Sequence, residues 1–210
     1  MALNVSCPAC GAAIPFKSRA SIFGVCGFCR NAVARKGVNA ETIGKMSEMP
    51  PDMSPLKIGT TGYFDGKRFE LIGRAKMTWS AGHWNEWYAL FDDGRDGWLA
   101  DAQGFYLMSF ENREPGALPA KDSLRVGHPV QLAGATYNVD DLREVKCAAS
   151  EGELSLEARA GREALNVDLS AEQGRFAGLE YGPQGTRVFQ GKYAEFEDFR
   201  FQNLRKFDGW

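Results

Sequence analysis

Histidine is scarce in this sequence, with only His83 and His128. That leaves little room for imidazole-based catalysis or mixed Cys/His metal sites, and no histidine stands in a nucleophile motif. Gly-x-Ser-x-Gly elbows, phosphate-binding loops, His-Glu-x-x-His and dinucleotide fingerprints are all missing. No apolar run approaches the roughly 18–20 residues that a bilayer span requires, so membrane insertion is not expected. Met1 to Ser6 lacks the basic start and apolar stretch of a secretion signal. The chain therefore reads as soluble and cytoplasmic, where thiols stay reduced.

Net charge is also small, at −2, which excludes electrostatic nucleic-acid binding by the chain as a whole. The charge is uneven. Lys17, Arg19, Arg30, Arg35, Lys36 and Lys45 face only Glu41 and Glu48 in residues 1–50, a net +4 that leaves −6 for the remainder. Four thiolates on one zinc ion would reduce the head to about +2. A mildly basic head on an acidic body keeps nucleic-acid binding as a disfavoured alternative.

Four of the five cysteines form the strongest motif. Cys7-Pro-Ala-Cys10-Gly and Cys26-Gly-Phe-Cys29-Arg are separated by fifteen residues, within the spacing of a four-thiolate zinc site. Two intervening residues let a tight turn bring both sulfurs to one ion, and Gly11 and Gly27 can supply positive φ beside them. Four sulfurs fill a tetrahedron and leave no position for water, so one structural Zn2+ is expected. The same ligands would suit iron. Ala13–Lys17 and Ser21–Val25 are predicted to form a hairpin between the knuckles. Cys147 stands alone and reads as a buried inert thiol.

The remainder is rich in glycine and in strand-length apolar runs. Residues 1–37 read as a zinc ribbon and 38–55 as a short helix, over 39–49, with a stiff Pro50–Pro55 linker. Residues 56–118 and 119–210 read as two β modules. The fold class expected is mainly β: a four-Cys ribbon followed by two related small barrels or sandwiches. The relation rests on an offset of 68. Leu56-x-Ile58-Gly59 aligns with Leu124-x-Val126-Gly127, Gly66 with Gly134, Phe69 with Tyr137, and Leu71 with Val139.

Aromatics concentrate in residues 63–110, which hold twelve of the 25. As a strand, residues 84–91 place Trp84, Glu86, Tyr88 and Leu90 on one face and Asn85, Trp87, Ala89 and Phe91 on the other. Large apolar groups on both faces predict a strand covered on both sides. Trp84, Glu86, Trp87 and Trp98 are the candidate ligand or partner surface. The competing reading is a core strand whose Glu86 hydrogen-bonds a Trp or Tyr. Asp92, Asp93 and Asp96 read as an acidic turn and His83 as a loop residue. Glu86, Asp101 and His83 are the acid–base residues that a hydrolase or transferase could offer.

Gly82-His-Trp-Asn-Glu-Trp-Tyr88, followed by Asp93-Gly-Arg-Asp-Gly-Trp-Leu-Ala-Asp-Ala-Gln-Gly104, resembles the bacterial family domain of unknown function 4178. Some members carry a Cys-Pro-x-Cys-Gly ribbon ahead of the domain. The resemblance is most specific over residues 59–107. Gly152-Glu153-Leu154 and the closing Phe207-Asp208-Gly209-Trp210 share it, while Ala100-Asp101 stands where Ser or Ala with Glu is usual. Such proteins accompany phage-shock-like membrane-stress proteins and polyamine-related enzymes. The resemblance thus implies a cytoplasmic, non-catalytic adaptor that contacts a membrane-associated protein partner.

Overall fold

The computed structural model describes residues 3–207, so the closing Asp208-Gly209-Trp210 lies outside the described residues. Every strand pairing is antiparallel, and no α-helix occurs among the described residues. The mainly β class expected from glycine-punctuated, strand-length runs is therefore what forms. No helix is long and apolar enough to cross a membrane among the described residues.

The head contains β1 (Leu3–Ser6), β2 (Ala13–Phe16), β3 (Phe23–Val25), β4 (Asn31–Lys36) and β5 (Asn39–Lys45). Two expectations fail here. The predicted hairpin between the knuckles does not form, since β2 pairs with β1 while β3 pairs with β4. Residues 39–49 are not helical either. Gly37, at φ 62, turns the chain tightly from β4 into β5. The tertiary pairing and the half-buried Ile43 decide a segment too short to carry a convincing helical stripe.

The body contains β6 (Thr61–Phe64), β7 (Lys67–Trp79), β8 (Gly82–Phe91), β9 (Asp96–Ala102), β10 (Phe105–Glu111), β11 (Pro129–Leu132), β12 (Ala135–Leu154), β13 (Glu163–Ala171), β14 (Arg175–Gly182) and β15 (Gly185–Ala194). Eight of these strands close into a ring in the order β7-β8-β9-β10-β15-β14-β13-β12, with β12 returning to β7. Each half of the body supplies four ring strands, and the two halves share one sheet.

The seams between the halves depend on glycine. A Cβ on Gly73 would lie 1.9 Å from the Glu153 carbonyl oxygen, and one on Gly152, at φ 71, would lie 2.3 Å from that of Ile72. On the opposite seam a Cβ on Gly191 would sit 2.0 Å from the Met108 carbonyl oxygen. No side chain fits at those distances.

Hydrogen bonds recur at the offset seen in the sequence. Gly59 N–H donates to Leu71 and Gly127 N–H to Val139. Leu71 N–H donates to Thr60 and Val139 N–H to His128. β6 pairs with β7 from Thr61↔Glu70, and β11 with β12 from Pro129↔Asn138.

Strand alternation gives the ring two apolar faces. Outside, Leu71, Trp87, Ala89, Leu99 and Met108 are covered by Leu56, from the segment before β6, and by Phe199 near the C-terminus. Val139, Val167, Leu169 and Leu179 are covered by Leu124 and Leu132. Inside, Ile72, Met77, Tyr88, Trp98, Val145 and Cys147 pack in one cluster with Phe23, Ala32 and Met46 of the head. The head thus closes one end of the ring.

The docking is polar as well. β3 pairs with the end of β12, and the buried Glu153 carboxylate accepts from Lys17 N–H at 2.7 Å and Ser18 N–H at 3.2 Å. The expected Pro50–Pro55 linker is a packed strap rather than a free spacer. Lys76 Nζ donates to the Pro50 and Pro51 carbonyls at 3.0 and 3.3 Å.

Candidate functional site

The first site is the sulfur cluster in the head. Ligand atoms of Cys7, Cys10, Cys26 and Cys29 all lie within 4.8 Å of one another. Cys7 and Cys29 Sγ are 3.6 Å apart, and Cys10 and Cys26 Sγ 3.7 Å. A tetrahedron with metal–sulfur bonds of about 2.3 Å has edges of about 3.8 Å, whereas a disulfide needs about 2.05 Å. The residues present fit a metal ion and do not fit cross-links.

The two knuckles are built alike. Gly11 N–H donates to the Cys7 carbonyl and Arg30 N–H to that of Cys26, both at 2.9 Å. The positive φ falls on Gly11 (77°) and Arg30 (61°). The expectation for Gly27 was therefore misplaced. The left-handed residue follows the second cysteine of each pair, and in the second knuckle that position is Arg30. Asn31 Nδ2 donates to Cys29 Sγ at 3.2 Å, and this bond leads in pulling that thiol down to about 6. The four sulfurs could hold one metal ion with no open coordination position.

The second site is the interior of the ring, a cavity of about 690 Å3. Inward positions of all eight ring strands contribute to its wall. Trp79, Trp84, Trp98, Phe176, Phe189 and Tyr193 supply aromatic surface, and Glu86, Asp168, Glu180 and Arg143 supply charge. Its mouth lies at the end away from the head, where Phe105 is 72% exposed and Tyr193 54%. Arg143 stacks over Trp79 at 4.9 Å and pairs with Asp141. Arg162 holds Glu180 through two bonds of 2.6 and 3.2 Å.

Glu86 has far weaker compensation. Protein surrounds it, and its accessible surface is the cavity's own. Its one hydrogen bond comes from Trp84 Nε1 at 3.1 Å. Burial, with the Glu180 charge adding to it, pushes its carboxyl up to about 7. Asp168 is likewise raised, chiefly by burial. Four enclosed polar atoms of inward-facing side chains find no partner among the described residues: Trp98 Nε1, Asn166 Oδ1, Arg162 Nε and Arg187 Nη1.

A raised carboxyl pKa means that the folded state retains a proton which the unfolded chain releases. Glu86 therefore costs nothing below about 4.5 and destabilises increasingly as pH rises through about 7. The cost reaches on the order of 3 kcal/mol. Glu86→Gln is expected to flatten the pH dependence of the urea midpoint between pH 5 and pH 8. An unchanged slope would show that Glu86 is ionised throughout.

Of the four residues offered as one surface, Trp84, Glu86 and Trp98 line the cavity together. Trp87 does not join them. It is fully buried on the opposite face of β8, with Arg74 stacked on it at 4.7 Å. Glu86 does hydrogen-bond a tryptophan, as the competing reading held, and it also faces open space.

The acid–base trio does not assemble. Asp101 lies on the outer face, accepting from Ser54 Oγ at 2.5 Å and from Trp87 Nε1 at 3.5 Å. His83 is the second residue of β8 rather than a loop residue, and it is exposed. Asp93 caps its turn by accepting from Arg95 N–H, an ordinary acidic turn, although Asp96-Gly97 already belongs to β9. Cys147 is buried, and burial leads in raising its thiol pKa, as befits an inert thiol.

Sequence reasoning did not reach Asn166, Asp168, Glu180 or Arg143. Asn166 and Asp168 alternate with Leu165, Val167 and Leu169, a pattern that looks like a solvated sheet face. Only ring closure turns that face inward.

These features define a β protein with a four-sulfur metal-site head seated on a ring that encloses a polar-and-aromatic cavity. The chain belongs to the family described as domain of unknown function (DUF4178), whose match covers residues 57–196. Comparison with curated proteins and with solved structures finds no match.

Proposed function

We propose that this is a non-catalytic binding protein. The head is held by one structural zinc ion, and the ring takes a small molecule into its cavity. The observation that carries this reading is the cavity: a space of about 690 Å3 lined by aromatic rings and by the acidic side chains of Glu86, Asp168 and Glu180. A closed ring of eight strands suits internal ligand binding. Zinc fits because four thiolates in a closed tetrahedron favour it, and because the head has too small a core to fold without it. We also read the body as two copies of one five-strand unit, β6–β10 and β11–β15, from the recurring hydrogen bonds.

The neutral dye N-phenyl-1-naphthylamine tests the cavity. Its fluorescence is expected to rise on mixing and to saturate at about one dye per chain, the capacity of a single pocket of this size. Ala100→Phe, which pushes a ring into the cavity wall, should remove most of the signal without changing the circular-dichroism spectrum. Dye binding that survives Ala100→Phe places the dye elsewhere and defeats the reading.

The adaptor role, with a membrane-associated protein partner, draws separate support from Phe28. It is 82% exposed at the tip of the second knuckle. Nucleic-acid binding loses support because four of the head's six cations are engaged. Lys17 pairs with Glu70, Arg30 with Glu48 and Lys36 with Glu41, while Arg35 stacks on Phe16.

A further inference from the structure

We infer that the cavity ligand is a small organic ammonium compound with an apolar body, its cationic nitrogen received by the Glu86 carboxylate. The inference rests on the cavity-binding reading above and adds the ligand's chemistry.

Charge decides its sign. Glu86, Asp168, Glu180 and Glu195 line the cavity against Arg143 alone. Two of these charged groups are already matched, since Arg143 pairs with Asp141 and Glu180 with Arg162. Glu195 lies at the rim, where its side chain caps the short turn over Phe196–Phe199. Glu86 and Asp168 make no salt bridge among the described residues; their counter-charges act only from longer range, Arg187 and Arg162 on Glu86 and Arg143 on Asp168. Burying a carboxylate unpaired is costly, and a cation brought in by the ligand offsets that cost.

The walls fit the same chemistry. Trp79, Trp84, Trp98, Phe176, Phe189 and Tyr193 present π surface in the same cavity, with Trp84 directly beside Glu86, and such surface attracts cations. The protein already makes this contact twice inside the ring, with Arg143 over Trp79 and Arg187 over Phe189 at 4.8 Å. An anionic ligand would meet the acid excess directly, and a hydrocarbon would leave the Glu86 carboxyl without a counter-charge.

Charged and titratable groups face Glu86 from several elements: Glu180 on β14, Arg187 on β15, Arg162 just before β13, and Cys147 on β12. Glu180 repels the ionised form, and the two arginines favour it. A bound ammonium tips the balance toward carboxylate, so ammonium affinity should rise as pH passes through the neutral range.

Displacement of N-phenyl-1-naphthylamine from the full-length protein tests this. The competitors are phenylalaninol, 3-phenylpropane-1,2-diol (a hydroxyl in place of the ammonium) and 3-phenyllactate. At pH 8 phenylalaninol is expected to displace the dye at about tenfold lower concentration than the diol, the size of one charge-assisted contact. Phenyllactate should be weakest. The advantage should shrink at pH 5.5, where phenylalaninol is still protonated and Glu86 is not ionised. Glu86→Gln should abolish it at pH 8 when competitor potency is referred to that variant's own dye affinity, and the loss of the wild-type advantage at pH 5.5 is the equivalent test should Glu86→Gln fail to fold. If the diol or phenyllactate competes as well as phenylalaninol while the dye binds, the ammonium assignment is wrong and the cavity reading stands. If the dye does not bind at all, the cavity reading fails and this inference with it.

Discussion

Cys26→Ala is expected to remove bound zinc and destabilise the ring together with the head. The ribbon pattern alone would have it unfold the head and spare the rest. The structure ties the two together. Phe23, Ala32 and Met46 are buried in the same cluster as Tyr88 and Trp98 of the ring, and Glu153 is satisfied by backbone N–H groups of Lys17 and Ser18. A structural zinc site supplies on the order of 10 kcal/mol of folding free energy. Losing it exposes the end of the ring and leaves a buried carboxylate unpaired. The melting temperature of the whole chain should fall by on the order of 10 °C or more, and N-phenyl-1-naphthylamine binding should weaken. Elemental analysis should give about one zinc per wild-type chain and none in the variant. A variant whose ring melts at the wild-type temperature would show that the head is an independent appendage.

Asp52→Ala is expected to cost roughly 3–5 kcal/mol, the range for leaving buried charge without its partner. Asp52 lies in the strap that runs from the head to β6, and its side chain is 5% exposed. It joins Arg74 and Lys76, each 2% exposed, with the Lys76 bond at 3.0 Å. Arg74 is further fixed by Asn85 Oδ1 at 2.7 and 3.0 Å. Truncating the carboxylate leaves Arg74 with Glu151 at 3.4 Å and leaves the buried Lys76 with no acid partner among the described residues. The effect should appear as a lower urea midpoint with little change in slope. Burial works to raise the Asp52 pKa, but the Lys76 hydrogen bond and the Arg74 charge outweigh it and hold the carboxyl below its ordinary value. Its contribution is therefore complete above the ordinary carboxylate range and disappears as pH falls through the lowered pKa. Wild type should lose stability in acid more steeply than Asp52→Ala. A variant within about 1 kcal/mol of wild type would reduce the strap to a surface ion pair.

Legibility in the sequence followed the range of the interactions. The sulfur cluster was readable because its ligands lie within 23 consecutive residues and their spacing is a local constraint. The two faces of β8 were readable because alternation is local too: one is buried under Leu56 and Phe199, and the other turns into the ring, where Trp84 and Glu86 line the cavity. The 68-residue offset marked real correspondences in hydrogen bonding. Ring closure was not readable, because it depends on β7 meeting β12 and β10 meeting β15 across the chain. The same limit hid the inward turn of Asn166 and Asp168 and left Trp87 grouped with cavity residues. The helix expected over 39–49 failed because pairing with β4 outweighs a weak local preference. Gly152-Glu153-Leu154, singled out only by resemblance, has a physical reason: a glycine seam, a carboxylate that docks the head, and a fully buried leucine.

The seams at Gly73, Gly152 and Gly191 also set an order of events during synthesis. When β10 has emerged, the first half presents two bare strand edges, along β7 from Gly73 onward and along β10, and neither finds its native partner until β12 and β15 are made. The nascent chain must carry those edges open for tens of residues, the circumstance in which strands capture the wrong neighbour. The ring closes last, at residues 185–194, so crowding by like chains is a hazard of birth rather than of the finished molecule.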